Sequence, residues 1–223
     1  MIINSLISIK NSLPLLMQGA VMTLFVWIAS MAIALIFGVL WGIIRADRLR
    51  IAGLSRFLDS VTFLLRAVPF YVQLLITYFV LPDLIGINIS ACTAGIFALG
   101  ICSAAYVSQI VRAGINAIDV GQWQAAYVLG YTSFDTIRWV IFPQAMKIIL
   151  PALSGELDQL LKSSSILSAI GVLELTGAAK NVIARELNPL TMYIAIAVMY
   201  VIIASIVIRI TTMLERKLSY DLY

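Results

Sequence analysis

The sequence reads as an all-α integral membrane protein. It has five transmembrane helices, the N-terminus outside, the C-terminus cytoplasmic, and a cytoplasmic helical loop between spans 3 and 4. Three observations carry this reading. First, 62% of the 223 residues are apolar and 12% are charged, where a soluble domain has roughly 25% charged residues. Second, residues 11–44, 91–111 and 190–208 hold no charged side chain, and about 20 such residues let a helix cross the hydrocarbon core. Third, the formal net charge of +4 is unevenly placed. Arg45, Arg48, Arg50 and Arg56 crowd one loop, Arg112, Arg138 and Lys147 bracket another, and Arg216 and Lys217 lie near the end. The loop at 82–90 has no Lys or Arg. Basic loops stay in the cytoplasm. These charges flank apolar spans, which argues against a nucleic-acid-binding face.

The whole chain, 1–223, reads as one membrane domain. Residues 1–16 lack the basic start of a signal peptide. Ile2, Leu6, Ile9 and Leu13 recur at spacings of four, three and four, which predicts a short amphipathic helix on the outer face. Span 1 is 19–44, and its Gly38 and Gly42 form a GxxxG pair suited to close packing inside one subunit. Span 2 is 61–81, with Arg66 in its first third, near the cytoplasmic headgroups. Pro69 leaves a carbonyl one turn earlier without its donor, a break tolerated where it is buried or lines a cavity. Gln73 follows one turn later on the same face.

Span 3 is 91–111, and its Gly, Ala, Ser and Cys residues predict a central helix that others approach closely. Its Cys92 and Cys102 read as small buried thiols. The chain contains no His, which excludes a Cys–His nucleophile pair and His-based zinc sites. Span 4, 148–170, contains Glu156, Asp158 and Lys162. Each charge at the bilayer centre costs about 2.5–3.5 kcal/mol, so these side chains need partners or a watery cavity. Residues 174–189 are polar and Ala-rich, an outer helix or loop, and span 5 is 190–209 with a short basic tail.

The loop at 119–143 reads as helix–turn–helix at the cytoplasmic surface. Gln122 to Leu129 forms the first helix, and Gly130 is a left-handed stop. Thr132 and Asp135 match a capping box for a second helix to about Val140, and Pro143 then redirects the chain. Ala125 and Ala126 offer a bare face for close approach, and Trp123, Tyr127 and Trp139 are aromatic anchors for an interface or membrane surface.

Here the sequence resembles a family. Gln124-Ala125-Ala126, three residues, Gly130, nine residues, then Val140-Ile141-Phe142-Pro143 keeps the spacing of the Glu-Ala-Ala loop of bacterial ABC importer permeases. The departures are Gln for Glu, Val for Ile and Phe for Leu. With "LLRAVPFYVQLLITYFVLP", "AAYVSQIVRAGI" and "LLKSSSILSAIGVLEL", the chain looks like the polar amino-acid uptake permeases over most of its length. The resemblance implies that Gln124, Ala125, Ala126, Gly130 and Pro143 belong to a coupling helix seated in a groove of a separate ATPase. It implies a bacterial inner-membrane protein that is a transporter subunit and not an enzyme. Its partners would be a second permease subunit, identical or related, two ATP-binding subunits, an extracytoplasmic amino-acid-binding protein and membrane lipid, with no nucleic acid. This chain has no GxxxxGK[ST] loop, so ATP and magnesium belong to the partner, and the chain itself needs no cofactor or metal.

Span 4 carries two polar stripes. Asp158 and Lys162 form an i,i+4 pair of favourable orientation, read as a buried structural ion pair. The family typically has an acid directly after this Lys, where this chain has Ser163. Asp158 then supplies the counter-charge from one turn earlier. The other stripe, Glu156, Gln159 and Ser163, is the substrate candidate. Glu156 would meet a cationic group. Ser163, Ser164 and Ser165 would meet a carboxylate if the helix breaks near Lys162 and restarts with free N–H groups. Val68, Pro69 and Gln73 would face them from span 2. The family's Gly-Thr before the Pro is Ala67-Val68 here, so a Thr hydroxyl contact is lost. The two acids favour arginine, lysine or histidine as substrate, with glutamine or another neutral polar amino acid as the alternative. A plainer reading has Glu156 holding polar contacts between subunits, in a structural subunit without its own substrate site. A membrane enzyme would need a nucleophile or metal constellation that this sequence does not offer.

Overall fold

The computed structural model describes the backbone of residues 2–220 and the side chains of 7–213 and 215. The described residues are helical and contain no strand. Four helical stretches are long and apolar enough to cross a membrane: Ile7–Arg45, Ala91–Asn116, Ser133–Ile170 and Pro189–Met213. Ala52–Ala67 with Phe70–Ile85 makes a fifth if the interrupted pair counts as one span.

Helix α1 runs from Ile2 to Arg45 with Pro14 inside it. One continuous helix therefore covers both the predicted amphipathic segment, 1–16, and the first span. Pro14 lies on an exposed side, where the carbonyl it orphans can be met from outside the protein. Met1 and the side chains of Ile2 and Leu6 lie outside the described residues. Helix α2 is Ala52–Ala67, and α3 starts at Phe70 after an extended Pro69 (φ −56°, ψ 136°). Pro69 thus ends the first helix outright, because the residue before a proline is driven away from helical geometry.

A wide π turn at Ile76–Val80 leads into α4, Leu81–Ile85, which Gly86 ends in the left-handed region (φ 69°). The same order recurs later, where α7, Ser133–Asp135, passes through a π turn at Thr136–Ile141 into α8, Phe142–Ser163. In both places a proline stands at the second residue after the wide turn, Pro82 and Pro143. A proline ring collides with the carbonyl four residues back in a regular α-helix, and a wider turn makes room for it. Pro143 therefore does not redirect the chain, contrary to the sequence expectation, and the span containing it begins at Ser133.

Helix α5, Ala91–Asn116, is the most buried span: 67% of its most apolar window is buried, against 17–28% in the other three. Helix α6 is Val120–Val128, α9 is Leu175–Glu186 and α10 is Pro189–Tyr220.

The chain divides into two compact units. The first comprises Met1–Ala32, Val68–Gly100 and Asp158–Val207. Its core joins Leu16 and Ala20 of α1 to Leu175, Ala178 and Ala179 of α9 and Ile196 of α10. Gly19 permits this, because a Cβ there would lie 2.9 Å from both Ala178 Cβ and Leu175 Cα. Glu174, fully buried, caps α9 by accepting from the N–H groups of Thr176 and Gly177, and Tyr200 Oη donates to it at 2.9 Å. Burial pushes this carboxyl above its ordinary range, against the backbone and tyrosine hydrogen bonds that favour ionisation.

The second unit comprises Ile33–Ala67, Ile101–Leu157 and Ile208–Tyr223. Here Gly38 and Gly42 bring α1 onto α5: a Cβ would lie 2.5 Å from Val107 Cβ and 2.6 Å from Val111 Cβ respectively. The GxxxG pair packs inside this chain.

Candidate functional site

Between α5 and α6, the carboxylate of Asp119 caps α6 by accepting from Gly121 N at 2.6 Å. Helix α6 has an inner and an outer face. Trp123 and Ala126 are buried, and the Arg48 guanidinium lies over the Trp123 ring, 5.8 Å from its centre. Gln124, Ala125 and Tyr127 are exposed, and Val128 is 87% exposed. Two sequence expectations are corrected here. Ala126 is not part of a bare outer face, and Trp123 is a core residue of its own subunit, not an anchor for a partner. About half a turn of helix separates the two faces, a phase that the aromatic count alone did not reveal.

Gly130 follows at φ 82°, in the left-handed region. Tyr131 N then returns to Ala126 O at 3.1 Å, which closes the turn. Thr132 Oγ1 accepts from Asp135 N at 3.2 Å, the cap expected from the sequence. Leu129, Gly130, Tyr131, Asp135 and Trp139 line an open pocket of about 580 Å³. Phe134 and Trp139 project outward, 68% and 62% exposed. So much apolar side chain around a helix turn suits either a partner's surface or the membrane surface.

In α8, Lys162 Nζ lies 2.6 Å from Asp158 Oδ2. The pair is not fully buried, since Lys162 is 57% exposed and Asp158 19%. After Ser163 the α-helix does not break and restart. It tightens into a 3-10 helix over Ser164–Ile170, which Gly171 ends at φ 86°. The serine hydroxyls are engaged with the backbone: Ser164 Oγ donates to Leu161 O at 2.7 Å and Ser165 Oγ to Lys162 O at 2.8 Å. Ser164 is fully buried. The expected free N–H groups are therefore absent there, because i+3 bonding carries the helix on without an end.

Gln159, exposed, reaches Ser163 Oγ at 3.5 Å, a marginal contact. The 3-10 segment packs against α3, which follows Val68 and Pro69 and carries Gln73. Gln73 Nε2 donates to Val68 O at 2.7 Å, so its amide serves the helix break. Gln159, Ser163, Ser164, Val68, Pro69 and Gln73 all belong to the first unit.

Glu156 belongs to the second unit, where the Ser103 hydroxyl of α5 hydrogen-bonds its carboxyl group. Tyr106, one turn beyond Ser103, is within electrostatic reach of both Glu156 and Arg66. Sequence reasoning missed this grouping. Ser103 and Tyr106 sat in a run read as packing, and Arg66 was assigned to the headgroups although an ionisable residue in a span is a functional candidate by default. Among the described residues no group of three or more His, Cys, Asp or Glu side chains could hold a metal ion.

Residues 38–220 match the family described as binding-protein-dependent transport system inner membrane component. A Rickettsia bellii protein named as a glutamine transport system permease is 35% identical over 96% of this chain and 97% of its own length. The arginine transport system permease protein of Bacillus subtilis is 36% identical over 93% of this chain and 94% of its own. A crystal structure of an amino acid ABC transporter with histidines superposes with a TM-score of 0.86 at 36% identity, covering 95% of this chain and 97% of that one. A methionine ABC transporter in an inward-facing conformation shares the fold, with a TM-score of 0.71 at 22% identity and coverage of 91% and 94%. The chain thus belongs to the inner-membrane components of binding-protein-dependent transport systems.

Proposed function

We propose that this chain is the membrane-spanning permease subunit of an ATP-driven importer of polar amino acids. It forms the pathway as a dimer and couples through the α6 loop to a separate ATPase. The observation that carries the substrate class is the grouping of Glu156, Ser103, Tyr106 and Arg66 from three helices. An amino acid brings an ammonium and a carboxylate into a low-dielectric pathway, and each needs an opposite charge or a hydrogen-bond partner. The names of the relatives, glutamine and arginine permeases, agree with that class.

Cationic substrates were favoured by the two acids of α8. The 2.6 Å contact of Asp158 with Lys162 takes one acid out of that count. One carboxylate, Glu156, and one guanidinium, Arg66, each within electrostatic reach of Tyr106, balance a zwitterion, which supports a neutral amino acid such as glutamine as the second reading. The complex with its ATPase, reconstituted in vesicles, separates the two in a panel of amino acids. Glu156→Gln is expected to lower uptake by about tenfold or more, since bonds to charged groups are worth about 1.5–3 kcal/mol. Selective loss of arginine, lysine and histidine supports the cationic reading, and loss of glutamine supports the neutral one. Undiminished uptake of every amino acid would sink the site.

The coupling role rests on the exposed aromatic turn around Gly130. Gly130→Asp puts a side chain on a left-handed backbone, a cost of roughly 1–2 kcal/mol, and a charge on an apolar surface. It is expected to abolish transport-coupled ATP hydrolysis. Intact coupling in the reconstituted variant would remove the docking assignment.

A further inference from the structure

We infer that Arg48, placed over the Trp123 ring from a connection whose Asp47 and Arg50 are ion-paired to α5 and α2, is the linkage that carries movement of α6 into α1, α2 and α5. The inference rests on the coupling role proposed for α6.

Helix α6 is short and mostly exposed on its outer face, so what grips its inner face decides where a push on it goes. That grip includes Trp123, 2% exposed, with the Arg48 guanidinium over its ring. A planar guanidinium on an aromatic face is held in orientation as well as in position. Arg48 stands in the connection between α1 and α2, which ion pairs tie down on both sides of it. On one side, Asp47 meets Arg112 of α5 at 3.5 Å and exchanges two hydrogen bonds with Asn116, at 3.0 and 2.9 Å. On the other, Arg50 meets Asp59 of α2 at 3.0 Å.

Asp59 closes the network. Besides Arg50, it receives Arg45 of α1 at 2.8 Å and Arg112 of α5 at 3.2 Å. Arg45 is 3% exposed and also donates to Ser108 at 2.7 Å. Three guanidinium groups from three segments thus converge on one carboxylate. Apolar contacts slide at little cost, whereas charge-assisted hydrogen bonds between planar groups are directional and fix register. A displacement of Trp123 therefore reaches the ends of α1, α2 and α5 together. Rigid ties of this kind carry coupling only if they join the driven element to elements with two arrangements, and these three helices include the residues proposed to meet substrate, Arg66, Ser103 and Tyr106.

The test uses the complete complex with its ATPase in vesicles and measures amino acid imported per ATP hydrolysed. Arg48 is exposed, so Arg48→Ala is expected to fold, to retain the ATPase on purification and to melt as the parent does. Import per ATP is expected to fall by roughly fivefold or more, the low end of measured couplings between sites. Arg48→Lys keeps the charge but not the plane, and is expected to recover only part of it. A purely structural role would instead lower the melting temperature and leave import per ATP alone, which overturns the linkage. Loss of the ATPase from purified Arg48→Ala also overturns it, because Arg48 would then serve docking. Gly130→Asp, measured alongside, separates the two ideas. If it uncouples while Arg48→Ala does not, the linkage alone fails. If neither uncouples, the docking role of α6 fails and the linkage with it.

Discussion

Lys162 Nζ meets Asp158 Oδ2 at 2.6 Å, while Asp158 Oδ1 is buried without a partner. One carboxylate oxygen thus carries the whole compensation for an ammonium in a membrane span. Removing one member of a fully buried pair costs about 3–5 kcal/mol, and Lys162 is partly exposed, so Asp158→Asn is expected to cost roughly 2 kcal/mol. The double variant Asp158→Asn/Lys162→Met removes both charges and is expected to recover at least half of that. Thermal melts of the parent, Asp158→Asn, Lys162→Met and the double variant in detergent give the cycle directly, and a double variant no more stable than Asp158→Asn would exclude the pairing. This pair was legible because i,i+4 spacing and opposite charge determine the geometry of two side chains on one helix. Trp123 was not legible. Its neighbour Arg48 is 75 residues away in sequence, and no local pattern says which flank of a short amphipathic helix faces home. Ser103 was hidden for a similar reason, since its partner Glu156 comes from another helix.

Among the elements, α1 and α5 approach most closely where side chains vanish. A Cβ on Gly38 would stand 2.5 Å from Val107 Cβ and 2.9 Å from the Ala104 carbonyl oxygen. Both obstacles sit on or near backbone and cannot swing away, so Gly38→Ala is expected to cost about 1–3 kcal/mol by overpacking. Val107→Ala in the same chain relieves the side-chain half of the clash. Its partial rescue, read as melting temperature in detergent, checks that this glycine pair seals a contact within one subunit. If Gly38→Ala instead changes only the subunit stoichiometry, the glycines lie between subunits. The pair was read correctly from its spacing. The helix ends were read less well. Pro69 breaks its helix and Pro143 does not, although both are prolines in apolar segments, because the second has a π turn ahead of it. Propensity rules describe single residues, and the wide turn is a decision of six.

For the whole molecule, the five expected spans correspond to four long helices and one interrupted pair. Composition makes that count legible, since few other structures can hide so many apolar residues. Orientation rests on the basic loops, and a labelling experiment reads it directly. In a variant with Cys92 and Cys102 replaced by Ala, a single cysteine at Ile87 is expected to react with an impermeant maleimide on intact cells. One at Arg48 is expected to react only after the membrane is opened. The reverse pattern would invert the topology and overturn the proposed coupling of the α6 loop to a cytoplasmic ATPase. The proposed substrate site was the least legible feature, because it gathers Arg66, Ser103, Tyr106 and Glu156 from three helices and no one motif holds them.

The wide turn at Thr136–Ile141 has one further consequence. Each residue of an α-helix advances the chain by 100° about its axis, and a π turn holds one residue more than the regular count. Deleting a single residue there would let the helix close into ordinary geometry and leave the segments on either side facing as before, because the wide turn has already absorbed the extra residue. The same deletion in the regular part of α8 has no such slack and would turn its two ends by about 100° against each other. The wide turn is therefore a seam, where the chain can lose a residue without re-aiming the helix that follows.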